Sequence, residues 1–315
     1  MPDNEMQIAV GARVRPEKDK KKPRKKNDEL LKGAFEENFP DFLRFVYPDV
    51  DKIVDFDRGI DFMDKELFAI IPVRERKGDK RVADLLAKIY LKDGTEKWVM
   101  MNVEIEGGND ANFAYRLYQY NYRIRDRYRV SVAAIAVFTG GEKQARPNSY
   151  KDQLLGTTVS FQYLTYHVFD HSPEELLKNE NPFAFIVLAC QKALLEGKIP
   201  DKELGDERLT LAKVLLSHSF EHDWIVSFIL FIKNFIFIDN KEINRNFDQQ
   251  IFELTKGKID MGILETIKMQ ERREGKLEGK MEGKVEMARA MKKDKFPIEK
   301  IAQLTKLSIQ EIKVL

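Results

Sequence analysis

The apolar positions change period several times along the chain, and each change marks a predicted element. Between Glu29 and Val46, the residues Leu30, Leu31, Ala34, Phe35, Phe39, Phe42, Leu43 and Val46 recur at helical spacing. Pro40 divides this run, because a proline inside a helix lacks an amide donor and clashes with the preceding turn. Strand-like stretches follow at Arg81 to Leu91, Lys97 to Ile105, Val130 to Phe138 and Val159 to Phe169. A helix, Asp110 to Arg127, separates the second from the third. From Pro182 onward helical spacing returns, over Phe183 to Glu196, Lys202 to His218 and Trp224 to Ile238. The order helix, strands, helix, strands predicts an α/β domain with a mixed sheet, followed by a helical lobe and tail.

The first two strands sort their own faces. Ala83, Leu85, Ala87, Ile89 and Leu91 share one face, while Val82, Asp84, Leu86, Lys88 and Tyr90 share the other. In the second strand Val99, Met101, Val103 and Ile105 lie opposite Trp98, Met100, Asn102, Glu104 and Glu106. Lys92, Asp93 and Gly94 form a hairpin loop with glycine at the left-handed position. That loop pairs Leu91 with Thr95, matches the two apolar faces, and sets Asp84 opposite Asn102 with Glu104 as its diagonal neighbour, about 7–8 Å away. A shorter Asp93-Gly94 loop would mismatch the faces and is rejected. Carboxylates gathered on one face repel one another unless a cation lies between them, and their hard oxygens suit Mg2+ or Mn2+. A water on such a metal can attack a phosphodiester. From spacing alone, a solvent-facing acidic strand explains the same acids equally well.

The helix from Asp110 carries an apolar stripe at Ala114, Leu117, Ile124 and Tyr128, joined by the polar Asn121. A second stripe holds Arg116, Arg123 and Arg127, with Gln119 and Tyr120 at its edge. Arginines and tyrosines interleaved on one face suit phosphate contact and base stacking, which makes Arg116, Tyr120, Arg123 and Arg127 the candidate DNA contacts. A solvated basic face is the competing explanation.

Composition changes this picture little. The 315 residues carry 54 basic and 52 acidic side chains, so net charge does not announce a polyanion partner. The basic run from Lys18 to Lys26 reads first as a solvated arm. The single cysteine, Cys190, sits among Ile186, Val187, Leu188 and Ala189 as a small core residue, and excludes an internal disulfide. Together with an N-terminus lacking an apolar signal core, this predicts a cytoplasmic protein. The run Trp224 to Ile238 is interrupted by Ser227, Lys233 and Asn234 and reads as a buried helix, so no membrane partner is expected. The repeat over residues 274–285 places Leu277, Met281 and Val285 on one stripe of a helix stabilised by packing, a candidate seat for homo-oligomers. Pro297 to Ile312 resembles a short helix-turn-helix with Ser308 as a cap, although its basic residues are few for reading DNA. His218 and His222 fit the H-x-x-E-H zinc pattern, but no third ligand is evident. His167 and His171, flanking Asp170, read as ordinary surface polarity.

Three segments carry a resemblance: RVADLLAKIYLKDGTEKWVMMNVEIEG, NFAYRLYQYNYRIRDRY and VSVAAIAVFTG. In this order they resemble the Rpn family of recombination-promoting nucleases and transposase-like proteins, within the PD-(D/E)XK nuclease superfamily. The resemblance covers residues 29–170, and the Glu-Gly-Lys tail is also typical. It implies a restriction-endonuclease-like αβββαβ core, with Asp84 as the metal-binding aspartate and Glu104 as the acid of the next strand. It further implies a helical carboxylate, Glu36 or Glu37, as an additional ligand, and Arg116 and Tyr120 as the recurring Arg-x-x-x-Tyr. One position departs. Where the superfamily has lysine, and this family often glutamine, the chain has Glu106. Lys88 or Gln119 could supply the missing group, or Glu106 could be a further ligand.

The expected organisation is therefore a basic, disordered arm over residues 1–28, a nuclease-like domain over 29–170, a helical lobe over 171–270 and a charged helical tail over 271–315. The expected function is Mg2+- or Mn2+-dependent cleavage of DNA. The alternative is a nuclease fold weakened or inactivated at Glu106 that binds DNA or assembles.

Overall fold

A computed structural model describes residues 27–63, 83–104 and 110–315. The basic arm is outside them up to residue 26, and Asn27 and Asp28 already belong to the first helix. Among the described residues no helix is long and apolar enough to cross a membrane.

The expected first helix is divided as the proline requires. Helix α1 runs Asn27–Glu37 and α2 runs Phe39–Val46, with Pro40 in the first turn of α2, where a missing amide costs nothing. Asn38 sits buried at the break. Its amide donates to the Ala34 carbonyl at 2.8 Å and its Oδ1 accepts from the Trp224 indole at 2.5 Å. Short helix α3 (Val50–Ile53) and a 3-10 turn (Phe56–Arg58) lead into β1 (Asp61–Phe62).

Strands β2 (Ala83–Tyr90) and β3 (Glu96–Glu104) pair antiparallel through the expected loop. The Leu91 amide donates to the Thr95 carbonyl at 2.7 Å, and Gly94 takes φ +84°. Asp93 Oδ1 accepts from both the amide and the hydroxyl of Thr95, at 2.9 and 2.6 Å, which locks the turn from inside. The register sets Asp84 opposite Asn102 and Leu85 opposite Met101.

Helix α4 (Phe113–Tyr128) then crosses over to β4 (Val132–Phe138), which runs parallel to β3, and β7 (Leu164–His167) adds parallel to β4. The five-stranded sheet has the order β1-β2-β3-β4-β7 and mixed orientation, as alternation and the crossover predicted. One expected strand is corrected. Residues 159–169 do not form a single strand: β5 (Ser149–Leu154) and β6 (Thr157–Gln162) make a separate hairpin, and the chain enters β7 only after Tyr163. Buried Tyr163 marks the change, donating its hydroxyl to the Pro147 carbonyl at 2.7 Å.

Both faces of the sheet are covered. Leu86, Val132, Ala134, Ala136 and Phe138 meet Phe113, Leu117, Tyr120 and Ile124 of α4. On the other face Leu85, Ala87, Ile89, Ile135 and Val137 meet α1, α2 and the helices that follow the sheet. These are α5 (Pro173–Leu177), α6 (Phe183–Ala193), α7 (Asp201–Ser217), α8 (His222–Phe235) and α9 (Lys241–Leu254). Helix α6 is apolar nearly all round because it is buried on every side. Its Phe183 ring lies 4.9 Å from Phe35 and 5.0 Å from Phe42. One cluster of buried side chains thus joins the sheet with the helices that follow it. Cys190 is buried within it, and burial pushes its thiol up to about 12.

Helix α10 (Met261–Lys293) contains the whole repeat. Its last turns, with α11 (Ile298–Thr305) and α12 (Ile309–Val314), enclose a small core of Ala288, Ile301, Leu307 and Ile312. Ser308 caps α12 through a reciprocal pair with Glu311, as its position before an apolar run predicted.

Candidate functional site

Strand register places the two principal acids. Asp84 lies opposite Asn102, so Glu104 is its diagonal neighbour on the adjacent strand. Position 84 alternates onto the face of Leu86, which α4 covers. Glu104 is in register with Phe138 of β4, and Phe138 with His167 of β7. The row Glu104, Phe138, His167 marks the C-terminal ends of the parallel strands, the edge where parallel sheets accept ligands. Glu106 lies outside the described residues.

Lys88 shares the face of position 84, but four residues on, roughly 13 Å along the strand. There its ammonium lies 3.3 Å from Asp61 of β1 and 5.0 Å from the centre of the Tyr90 ring. The Tyr90 hydroxyl donates to the same Asp61 at 2.7 Å. This bond and then Lys88 hold the Asp61 carboxyl below the usual carboxylate range. Gln119 is half-buried on α4, the helix over the acid-bearing face. The helical carboxylates belong to α1, which covers the opposite face. Glu36 is half-buried and lies 3.5 Å from Lys32, while Glu37 is exposed at the last position of the helix.

The arginines of α4 divide in role. Arg116 pairs with Asp110 and lies 5.8 Å from the Phe113 ring centre. Arg123 is half-buried, and Arg127 is exposed beside the Tyr128 ring at 5.5 Å. Buried Asn121, the polar member of the apolar stripe, donates to the Val132 carbonyl at 3.1 Å and accepts from Arg125 Nε at 2.7 Å. Tyr120 requires a correction. It is 4% exposed and packs between helix and sheet, because positions 113, 117, 120 and 124 share one stripe. Its ring is unavailable to a base. The exposed rings are instead Tyr115 and Tyr122, with half-buried Tyr118 between them.

His167 is also corrected. It is 1% exposed rather than a surface residue. Asp170 accepts from its backbone amide at 2.8 Å and from Arg146 at 2.6 Å, and the Tyr166 hydroxyl lies 3.2 Å from His171 Nδ1. Burial, and then Arg146, hold the His167 imidazole below its ordinary pKa. The zinc pattern is divided between elements. His218 follows the end of α7, stacks on Phe220 at 5.3 Å and places Nδ1 3.0 Å from the Val214 carbonyl, whereas His222 opens α8. Among the described residues no three His, Cys, Asp or Glu side chains gather as a metal site. The acid pair set by strand register lies outside the side chains so described. Its donor set, carboxylate oxygens alone, fits Mg2+ or Mn2+ better than softer metals.

Compared with protein-family models, with curated proteins and with solved structures, the chain matches none.

Proposed function

We propose that this chain is a metal-dependent DNA endonuclease of the Rpn type within the PD-(D/E)XK superfamily. The observation that carries the reading is the β2–β3 register, which brings Asp84 and Glu104 to diagonal positions on the sheet face covered by α4. Among the described residues, helices α1 to α3 precede β1, β2 and β3, and α4 and β4 follow, an order that suits the same reading. Asp84 and Glu104 would hold Mg2+ or Mn2+, whereas Glu36 and Glu37 belong to α1 on the opposite face of the sheet and are left out of the proposed ligand set. Bound there, the metal supplies a water of lowered pKa and offsets charge on the scissile phosphate. Arg123 and Arg127 hold the DNA backbone. Lys88 is engaged with Asp61 about four residues along the strand from Asp84, which leaves Gln119 of α4 as the candidate replacement for the lysine usual at position 106.

A weakened nuclease that binds DNA without cutting is the second reading, motivated by the negative charge of Glu106. Supercoiled plasmid with Mg2+, with Mn2+ and with EDTA separates the two. The nuclease reading expects metal-dependent nicking that Asp84→Ala abolishes. It fails if no metal condition gives nicks. Nicking that appears only in Glu106→Gln establishes the weakened site.

A further inference from the structure

The surface beside the acid-bearing face holds a second feature. Tyr115, Tyr118 and Tyr122 occupy positions i, i+3 and i+7 of α4, which puts them on one stripe. The β5–β6 hairpin lays Tyr150 and Phe161 against that stripe. Tyr150 stacks on Tyr118 at 5.1 Å with 21° between ring planes and lies 5.2 Å from Tyr115. Phe161 is 5.8 Å from Tyr118, and Tyr122 continues the row at 6.5 Å and 31°. The ends of the row are open, since Tyr115 is 43% and Tyr122 57% exposed. The same stripe continues into Arg125, whose guanidinium is bonded to Asn121 and to the Val132 carbonyl, and the exposed Arg129 follows as the left-handed cap of the helix.

We propose that this row is a stacking platform for unpaired nucleobases, with Arg129 available to an adjoining phosphate. The proposal deepens the reading of the chain as a DNA-acting protein and rests on it for the identity of the ligand. Isolated surface aromatics need no explanation, but a contiguous row of rings, stacked at Tyr118–Tyr150 and tilted by 31–55° elsewhere, with two exposed ends, does. The exposed rings at the ends of the row, Tyr115 and Tyr122, offer faces, and only an unpaired strand offers base faces in return, because a duplex presents edges. The chemistry of the surface is aromatic and hydroxylic with guanidinium groups at one end. That suits an anionic strand of planar bases better than an aliphatic protein partner. Asp152, two residues from Tyr150 on β5, is the acidic group whose field reaches the Tyr150 hydroxyl.

The test measures binding of labelled single-stranded and duplex oligonucleotides of equal length by fluorescence anisotropy in EDTA, so that cleavage plays no part. Wild type is expected to favour the single strand. Tyr122→Ala should weaken that binding by roughly five-fold to more than a hundred-fold, the range for one lost base stack. Tyr122→Phe, which keeps the ring, should bind as wild type does. Unchanged affinity in Tyr122→Ala overturns the proposal, as does a Phe variant as weak as the Ala variant. A change of oligomeric state in Tyr115→Ala/Tyr122→Ala with oligonucleotide binding intact also overturns it, and makes the row a protein contact. Plasmid nicking is read in parallel with Mg2+. Its absence alongside ring-dependent binding defeats the nuclease reading alone, and its presence with ring-independent binding defeats the platform alone.

Discussion

Arg208 is a fully buried cation whose charge is satisfied almost entirely by dipoles. Its guanidinium donates to the carbonyls of Lys233 and Ile236 at the end of α8 and to Asn244 Oδ1 at 2.8 Å, and lies 4.5 Å from the centre of the Phe247 ring. A cation at a helix C-terminus is favoured by the helix dipole, yet burial still lowers its pKa to about 10. Arg208→Met should cost about 1–3 kcal/mol in urea unfolding, because acceptors are left without a donor. His167 gives a pH signature. Its folded pKa is depressed, so the unfolded chain binds the proton first as pH falls. The neutral folded form is fully stable above about 6.5, and stability declines below that value. Melting temperatures across pH 7.5 to 5 — a range of about 2.5 units around that value — should fall less steeply in His167→Gln than in wild type. Asp61, Asp93, Glu175 and Glu311, whose folded pKa values are lowered, lose their contributions in the more acid carboxylate range.

At the scale of elements, the β2–β3 hairpin was legible in full. Alternation fixed the faces, Gly94 fixed the loop, and only one register satisfied both. Gly94→Ala should therefore cost about 1–2 kcal/mol, since φ +84° is unfavourable with a Cβ; denaturant unfolding measures it. The β5–β6 hairpin was not legible as two strands, because β5 is polar and mostly exposed, and the alternation of Val159 and Phe161 in β6 runs on into β7 in the sequence. Helix α9 escaped for a similar reason: only Phe247 and Ile251 are buried in an otherwise polar segment. In α4 the arginine stripe was visible, but the apolar stripe is wider than the aliphatic residues suggest. Tyr120 lies inside it, while Tyr115, Tyr118 and Tyr122 form the accessible row. The acids of the candidate site were readable because strand alternation is strict. His167 was not, because its burial depends on β7 joining β4, a contact between distant parts of the chain.

For the whole molecule, the shared core makes the helical lobe part of the domain that carries the acids. Phe183 belongs to the lobe but lies among rings from α1 and α2. Phe183→Ala should cost about 3–5 kcal/mol and lower the stability of sheet and lobe together in a single unfolding transition. Separate transitions for the two parts would contradict a common core. The C-terminal helices close on their own small core, with Lys292 donating to the carbonyls of Ile312 and Lys313. The proposed site then makes one demand of the molecule: Asp84 and Glu104 must act as a unit. A double-variant cycle on metal-dependent plasmid nicking measures this directly, using wild type, Asp84→Asn, Glu104→Gln and the two combined. The account predicts nicking by wild type, near-complete loss in each single variant, and no further loss in the pair. Wild-type rates in either single variant, or wild-type protein that never nicks with Mg2+ or Mn2+, would contradict it.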